Sequence, residues 1–301
     1  MAIGGKENGF VVVGASGLVG TAVMSKLGGR ATGTFNARPR RGLVKLDITD
    51  AREVSAFMAD LKPTVVIHTA GEANVDRCQL DPELSYRVNV EGTANVARAV
   101  AAVGARYLFF STDYVFGGHG GPHGPCDPFE PLNTYGEHKL KAEGLVSAAV
   151  EDHLIIRACN LYGYDPGGKN FVLAVFERLC KGEPVQAPVD QWASPTLAAD
   201  IGEATALAAD SRLRGVAHFA GPDHLDRAEL ARRAACAFGF DPAVVVAVST
   251  QSLGQAAPRP LSAGLRAEQT EAALGLAFAG VERGLGRMRR DLENAGLLKK
   301  P

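Results

Sequence analysis

The apolar run Phe10-Val11-Val12-Val13, followed at once by Gly14-Ala15-Ser16-Gly17-Leu18-Val19-Gly20, constrains this chain more than any other stretch. Four apolar residues, three of them β-branched, read as a strand buried on both faces, as in a parallel sheet. Glycines at 14, 17 and 20 permit a tight turn, a close approach of backbone to phosphate, and close packing of the next helix on the strand. A helix over about 18–27 aims its free N–H groups and positive dipole end at that phosphate. Gly14, Ser16, Gly17, Leu18 and Val19 are therefore candidate cofactor-binding residues. A glycine turn is a weak signal in a chain with 35 glycines, so the remaining sequence must agree with it.

It does, because β-rich runs alternate with helical ones. Strands are expected over 31–35, 44–46, 65–69, 107–111 and 154–158, and a further one over 216–220. Helices are expected over 50–61, with Thr49 as N-cap, over 82–103, with Pro82 in the first turn, and over 134–149. Such alternation predicts an α/β fold, a doubly wound parallel sheet that binds ligands at the carboxyl ends of its strands. The pattern blurs after residue 160, where helices are expected over 170–181, 196–210 and 227–238. Val281, Leu285, Met288 and Leu292 recur at helical spacing and read as core. A dinucleotide-binding domain over 1–160 plus about 196–220 is expected, with a smaller substrate-binding domain over 161–195 plus 221–301. The Gly- and Pro-rich stretch 117–131 reads as a long surface loop, of the kind that often serves as a lid.

Composition excludes several classes. A net charge of −1 gives no electrostatic case for nucleic acid or an acidic membrane surface. No run of about 18 apolar residues exists, so no membrane span is expected. Residues 1–9 lack the apolar segment of a signal peptide and read as a frayed tail. The five cysteines are scattered, without a CxxC pair. They suit reduced thiols in a cytoplasmic protein better than disulfides or a zinc site.

Three features carry chemistry. Arg38, Arg40 and Arg41 follow the second strand, where an acidic residue suits the ribose 2′-OH of NAD and arginines suit a 2′-phosphate. NADP(H) is therefore preferred. Tyr135 and Lys139 lie four residues apart on one helical face, where an ammonium is expected to lower the phenol pKa for proton transfer to a carbonyl oxygen. Ser111-Thr112-Asp113-Tyr114 closes the fifth strand, with hydroxyls at the carboxyl edge of the sheet.

With these residues in place, the chain resembles the extended short-chain dehydrogenases/reductases, and within them the dTDP-4-dehydrorhamnose reductase group. The resemblance is carried by GASGLVG (14–20), LDITD (46–50), HTAGEANVDRC (68–78), RVNVEGT (87–93), STDYVFGG (111–118), PLNTYGEHK (131–139), GGKNF (167–171), VDQWASPT (189–196) and RPLSAGL (259–265). It implies a Rossmann domain with a smaller C-terminal substrate domain, and a catalytic set of Thr112, Tyr135 and Lys139. By that resemblance Tyr135 is expected to donate the proton, Lys139 to hold the nicotinamide ribose and tune the phenol, and Thr112 to orient the carbonyl. Asp47 and Ile48 border adenine, and Thr69, Ala70 and Gly71 line the cofactor. Asp113, Tyr114, Asn160, Lys169, Asn170, Gln191 and Trp192 are expected at the sugar nucleotide, the small-molecule substrate of a monomer or homodimer.

This sequence also departs from the group. Asn160 stands where a sugar-stacking tryptophan is usual, which exchanges stacking for hydrogen bonding. Ala22 replaces a glutamate that serves a magnesium-bridged dimer in some members, so no metal is expected. His123 and Pro125 replace a Tyr and a Glu. His68 reads as a core histidine, Cys159 lacks a histidine partner for nucleophilic work, and Asp76 reads as fixing a turn or an arginine. The competing readings are a nucleotide-sugar epimerase or dehydratase and a non-catalytic subunit like the regulatory subunit of methionine adenosyltransferase. A dehydratase carries an Asp-Glu pair after its threonine, whereas here Asp113 precedes Tyr114.

Overall fold

The computed structural model describes residues 9–298; the tail expected over 1–9 lies almost wholly outside them. Seven strands form one parallel sheet: β1 (Phe10–Val13), β2 (Ala31–Phe35), β3 (Val44–Lys45), β4 (Val65–His68), β5 (Arg106–Thr112), β6 (His153–Ala158) and β7 (Gly215–Phe219). Their spatial order is 3-2-1-4-5-6-7, the doubly wound order in which the chain starts at the centre and reverses direction beside β1. All pairings are parallel, with Phe10 opposite both Ala31 and Val65.

Strand periodicity divides the core. Val11 and Val13 face one side with Val66, Tyr107, Phe109 and Ile155, covered by residues of helices Ala51–Leu61, Gly92–Val103 and Thr134–Ala149. Phe10 and Val12 face the other with Leu108, Ile156 and Phe219, under helices Leu18–Leu27 and Ala198–Asp210. Those two helices cross closely because Gly202 has no Cβ; one added there would strike the Ala22 backbone. A second cluster gathers Val172, Phe176, Leu179, Leu230, Ala234 and Phe238 around Val281, Leu285, Met288 and Leu292. The last four are fully buried, as their spacing in helix Val281–Asn294 requires. Leu265, Ala267 and Phe278 pack instead with the sheet cluster, so the second half of the chain contributes to both cores.

Several local expectations are corrected. Asp50, not Thr49, caps helix Ala51–Leu61, accepting from the amides of Arg52 and Glu53, while Thr49 turns to Asp47. The helix expected over 82–103 is helical throughout but changes pitch, with a π turn over Arg87–Glu91 between Pro82–Tyr86 and Gly92–Val103. That turn aims Asn89 at the 71–72 backbone, where its Oδ1 accepts from the Glu72 amide at 2.9 Å. A short helix, Val75–Leu80, was not foreseen from its polar sequence.

The 117–131 loop is not a lid over the cleft described below, since none of its residues lines either cavity. It is pinned instead. His123 stacks on Phe116 with centroids 4.6 Å apart and bridges to Leu265. Beneath it, buried Arg157 donates to the Pro125 carbonyl at 3.1 Å and meets Glu143 in a two-bonded pair at 3.0 and 2.7 Å. Removing one partner strands a buried charge, so Glu143→Gln is expected to cost roughly 3–5 kcal/mol in urea unfolding. Arg157→Met with Glu143→Leu is expected to recover most of that loss. A Glu143→Gln midpoint equal to the parent's refutes the account.

Candidate active site

Turn and sheet together build a phosphate cradle. Gly14 has φ of +88° at the end of β1, in the left-handed region. A Cβ there would lie 2.6 Å from the Ala70 amide nitrogen, so the β1 and β4 ends touch only because residue 14 is glycine. Thr69 ties the two together, donating to the carbonyls of Val13 at 3.0 Å and Gly14 at 3.1 Å. A Cβ on Gly20 would collide with the Gly14 carbonyl, whereas one on Gly17 would meet nothing nearer than 3.5 Å. Gly20 thus lets the helix sit down on the turn, and Gly17 leaves the approach open. Leu18, Val19 and Gly20 begin the helix with no side-chain cap, so their amides face the cavity they line.

Two adjoining cavities of about 530 and 320 Å³ share Gly17, Arg38, Thr69, Ala70, Gly71 and Glu72 and form one trough. The smaller also holds Gly14, Ser16, Phe35, Asn36, Leu46 and Ile48. Asp47 does not line it: its Oδ1 accepts from the Thr49 amide at 2.9 Å and hydroxyl at 2.8 Å. Arg38 lines both cavities, whereas Arg40 and Arg41 line neither. Arg40 pairs with buried Asp165, and Arg41 is exposed. A trough with an open glycine cradle, apolar walls at one end and a cation beside it fits a dinucleotide with a 2′-phosphate.

The larger cavity brings Thr112, Tyr135 and Lys139 together. Thr112 ends β5, and its Oγ1 donates to Asp113 at 3.1 Å while accepting from the Tyr114 amide at 3.2 Å. Asn133 caps helix Thr134–Ala149 by accepting from the Gly136 amide at 3.0 Å, and Gly136 sits against the Tyr114 carbonyl where no Cβ fits. This fixes Tyr135 beside Thr112. The electrostatics correct the expectation for the pair. Burial raises the Tyr135 pKa well above that of an ordinary phenol, with hydrogen bonding to Thr112 only partly opposing it. Lys139 is not on the phenol: its Nζ donates to the Phe110 carbonyl at 2.7 Å and lies 4.0 Å from the Phe109 ring centre. Burial lowers it to about 7, against the charge of Glu143.

Beyond these three the cavity carries Asp113, Tyr114, Asn160, Lys169 and Asn170. Burial pushes Asp113 up to about 6. Asn170 is occupied locally, capping helix Phe171–Cys180 through Leu173 and donating to the Gly163 carbonyl at 2.8 Å. Gln191 and Trp192 do not converge here. Gln191 donates to Gln255 at 3.1 Å, and Trp192 is 40 % exposed with its ring beside His224. Sequence reading missed Asn89 and Arg227, which also line the cavity. Arg227 opens helix Arg227–Phe238, and its guanidinium lies 4.8 Å from the Phe171 ring centre; an isolated arginine after an N-cap aspartate carried no motif. His68 is a core residue, its Nδ1 2.6 Å from the Tyr107 hydroxyl and its pKa lowered by burial to about 3. Burial lifts the Cys159 thiol far above its usual range, which removes it as a nucleophile. Asp76 accepts from Arg259 at 2.8 Å and from the Ala257 amide at 3.0 Å.

A parallel sheet in this order, a glycine cradle at its first switch point and a Thr-Tyr-Lys cluster beside it define the class: an extended short-chain dehydrogenase/reductase. More narrowly, the chain belongs to the RmlD substrate binding domain family, whose model matches residues 9–294. It is 34 % identical over 277 residues to a dTDP-4-dehydrorhamnose reductase of Mycobacterium tuberculosis, spanning 88 % of this chain and 87 % of that protein. It is 30 % identical over 263 residues to methionine adenosyltransferase 2 subunit beta of Xenopus tropicalis, spanning 83 % and 78 %. Among solved structures, dTDP-4-dehydrorhamnose reductase from Bacillus anthracis in complex with NADP superposes with a TM-score of 0.86 at 27 % identity, covering 94 % of this chain and 98 % of that one.

The lysine makes a pH prediction. Its folded pKa of about 7 lies below the ordinary lysine value of 10.5, so between those values the unfolded chain binds more protons and stability rises with pH. The cost of the buried ammonium is complete below pH 7 and fades above it. Lys139→Met removes that slope, of at most about 1.4 kcal/mol per pH unit. Urea unfolding of the ligand-free proteins from pH 7 to 9 should show the parent gaining on the variant. Parallel stability profiles refute the assignment.

Proposed function

We propose that the chain is an NADPH-dependent ketoreductase acting on a nucleotide-linked 4-keto-deoxysugar. The observation that carries this reading is the convergence of Thr112, Tyr135 and Lys139 in one cavity continuous with the Gly14–Gly20 cradle. NADPH, when bound, supplies the hydride for the carbonyl carbon. Tyr135 donates the proton to the carbonyl oxygen, and the hydrogen bond with Thr112 opposes the burial that weakens the phenol as an acid. Thr112 orients the same oxygen. Lys139 holds the nicotinamide ribose and stands near neutrality between its two charge states. Lys169 and Arg227 are the cations for the diphosphate. Asn160 meets a sugar hydroxyl where relatives stack an aromatic ring. A solved reductase in complex with NADP and the Mycobacterium tuberculosis reductase, each aligned over most of the chain, support this reading.

A second reading, an NADP-binding regulatory subunit without turnover, is favoured by the similarity to the methionine adenosyltransferase subunit. Incubation with NADPH and a 4-keto nucleotide sugar separates the two. Oxidation of NADPH with loss of the ketone supports the enzyme, whereas tight cofactor binding without turnover supports the subunit. Tyr135→Phe keeps the ring and removes the proton donor, so turnover is expected to fall by about 10²–10⁴-fold while NADPH still binds. Near-parental kcat in that variant rejects the assignment. Arg38→Ala is expected to weaken NADPH by roughly 1–3 kcal/mol and leave NADH almost unchanged. Equal losses for both cofactors in fluorescence titration exclude a 2′-phosphate contact.

A further inference from the structure

The arginine turn is fastened to the opposite rim of the cleft. Arg40 pairs with Oδ1 of Asp165, reaches the Pro166 carbonyl at 3.3 Å, and donates to the Thr21 hydroxyl at 2.9 Å. Arg38 donates to the Gly167 carbonyl at 3.2 Å and lies 3.8 Å from Asp165 Oδ2. The Asp165 side chain is 1 % exposed although Pro166 and Gly167 beside it are at the surface. Its Oδ2 accepts no hydrogen bond among the described residues. Three consecutive residues therefore depend on two arginines more than 120 positions earlier in the chain. The same segment turns tightly, Gly168 donating to the Asp165 carbonyl at 2.8 Å, and then delivers Lys169, Asn170 and Phe171 to the larger cavity.

We propose that Asp165 is a positioning residue which, through Arg40 and Arg38, fastens the substrate-facing segment 163–170 to the cofactor-binding turn, so that this turn governs substrate affinity as well as cofactor choice. A carboxylate buried between two guanidinium groups is stable only while they stay. Without Arg40 it keeps only the longer Arg38 contact, and the segment must open to hydrate it. The effect on substrate affinity rests on the ketoreductase reading, whereas the fastening itself does not.

Arg40→Gln, Asp165→Asn and the double variant test this in two ways. Hydrogen exchange on the ligand-free proteins is expected to quicken across 163–170 by about tenfold or more in either single variant. With saturating NADPH, KM for the 4-keto nucleotide sugar is expected to rise about tenfold with kcat within about twofold, and the double variant to add nothing further. Parental exchange in Arg40→Gln, an unchanged KM, or fully additive effects each overturn the proposal. If the parent turns over no keto sugar, the ketoreductase reading fails, while the exchange result still decides the fastening.

Discussion

The contact on which the site depends is the backbone approach of the Gly14 turn to Ala70, at the carboxyl ends of β1 and β4. Parallel pairing places Val13 opposite His68, so the chain leaving each strand emerges beside the other. Any side chain at 14 would push them apart, and the φ of +88° excludes most residues in any case. Thr69 closes the join by donating to the successive carbonyls of Val13 and Gly14, where β1 enters the turn. The helix N-terminus, the shared wall of both cavities and the floor under the cofactor are consequences of this one approach. Glycine costs conformational entropy in the unfolded chain, and the fully buried strands around it supply the burial that offsets that cost.

How much of this was legible in the sequence varies with the physics involved. The strands and long helices were readable because apolar periodicity and caps are local, and even the arrangement of the sheet follows from strand–helix alternation. Asp50 displaced Thr49 as a cap because both residue types can accept from the first turn, and only the bend of the chain decides between them. The π turn at Arg87–Glu91 left no mark in sequence, since its one extra residue is stabilised by Asn89 reaching a distant backbone. Gln191 and Trp192 lie in a block that resembles a substrate segment, yet their side chains turn to Gln255 and His224. Side-chain direction is set by tertiary packing, and motif spacing does not carry it. Arg227 and Asp165 escaped notice for the converse reason, because each acquires meaning only from a partner far along the chain.

Burial also reverses the simplest electrostatic argument for Tyr135 and Lys139. Two residues four apart on a helix suggest an ammonium that stabilises a phenolate. The site instead withdraws both from water, so desolvation disfavours each charge: the phenol rises and the ammonium falls. With Lys139 bonded to the Phe110 carbonyl, the tyrosine is left as a neutral acid beside Thr112.

Asn160 meets a backbone requirement at the wall of the larger cavity. It follows β6 with φ of +45°, one of only two non-glycine positions with positive φ among the described residues. Asparagine tolerates that region better than bulky side chains do, because its short amide bonds locally and escapes the worst Cβ contact. Its carbonyl accepts from the Thr196 amide at 3.3 Å, which joins the end of β6 to the strand pair Leu161–Tyr162 and Thr196–Leu197. The side chain stays partly exposed in the cavity that also holds Tyr135. A tryptophan here would restore ring-stacking area but would meet the strained backbone, of order 1–3 kcal/mol, before any gain from stacking. The residue that fits position 160 is therefore coupled to the shape of the strand end.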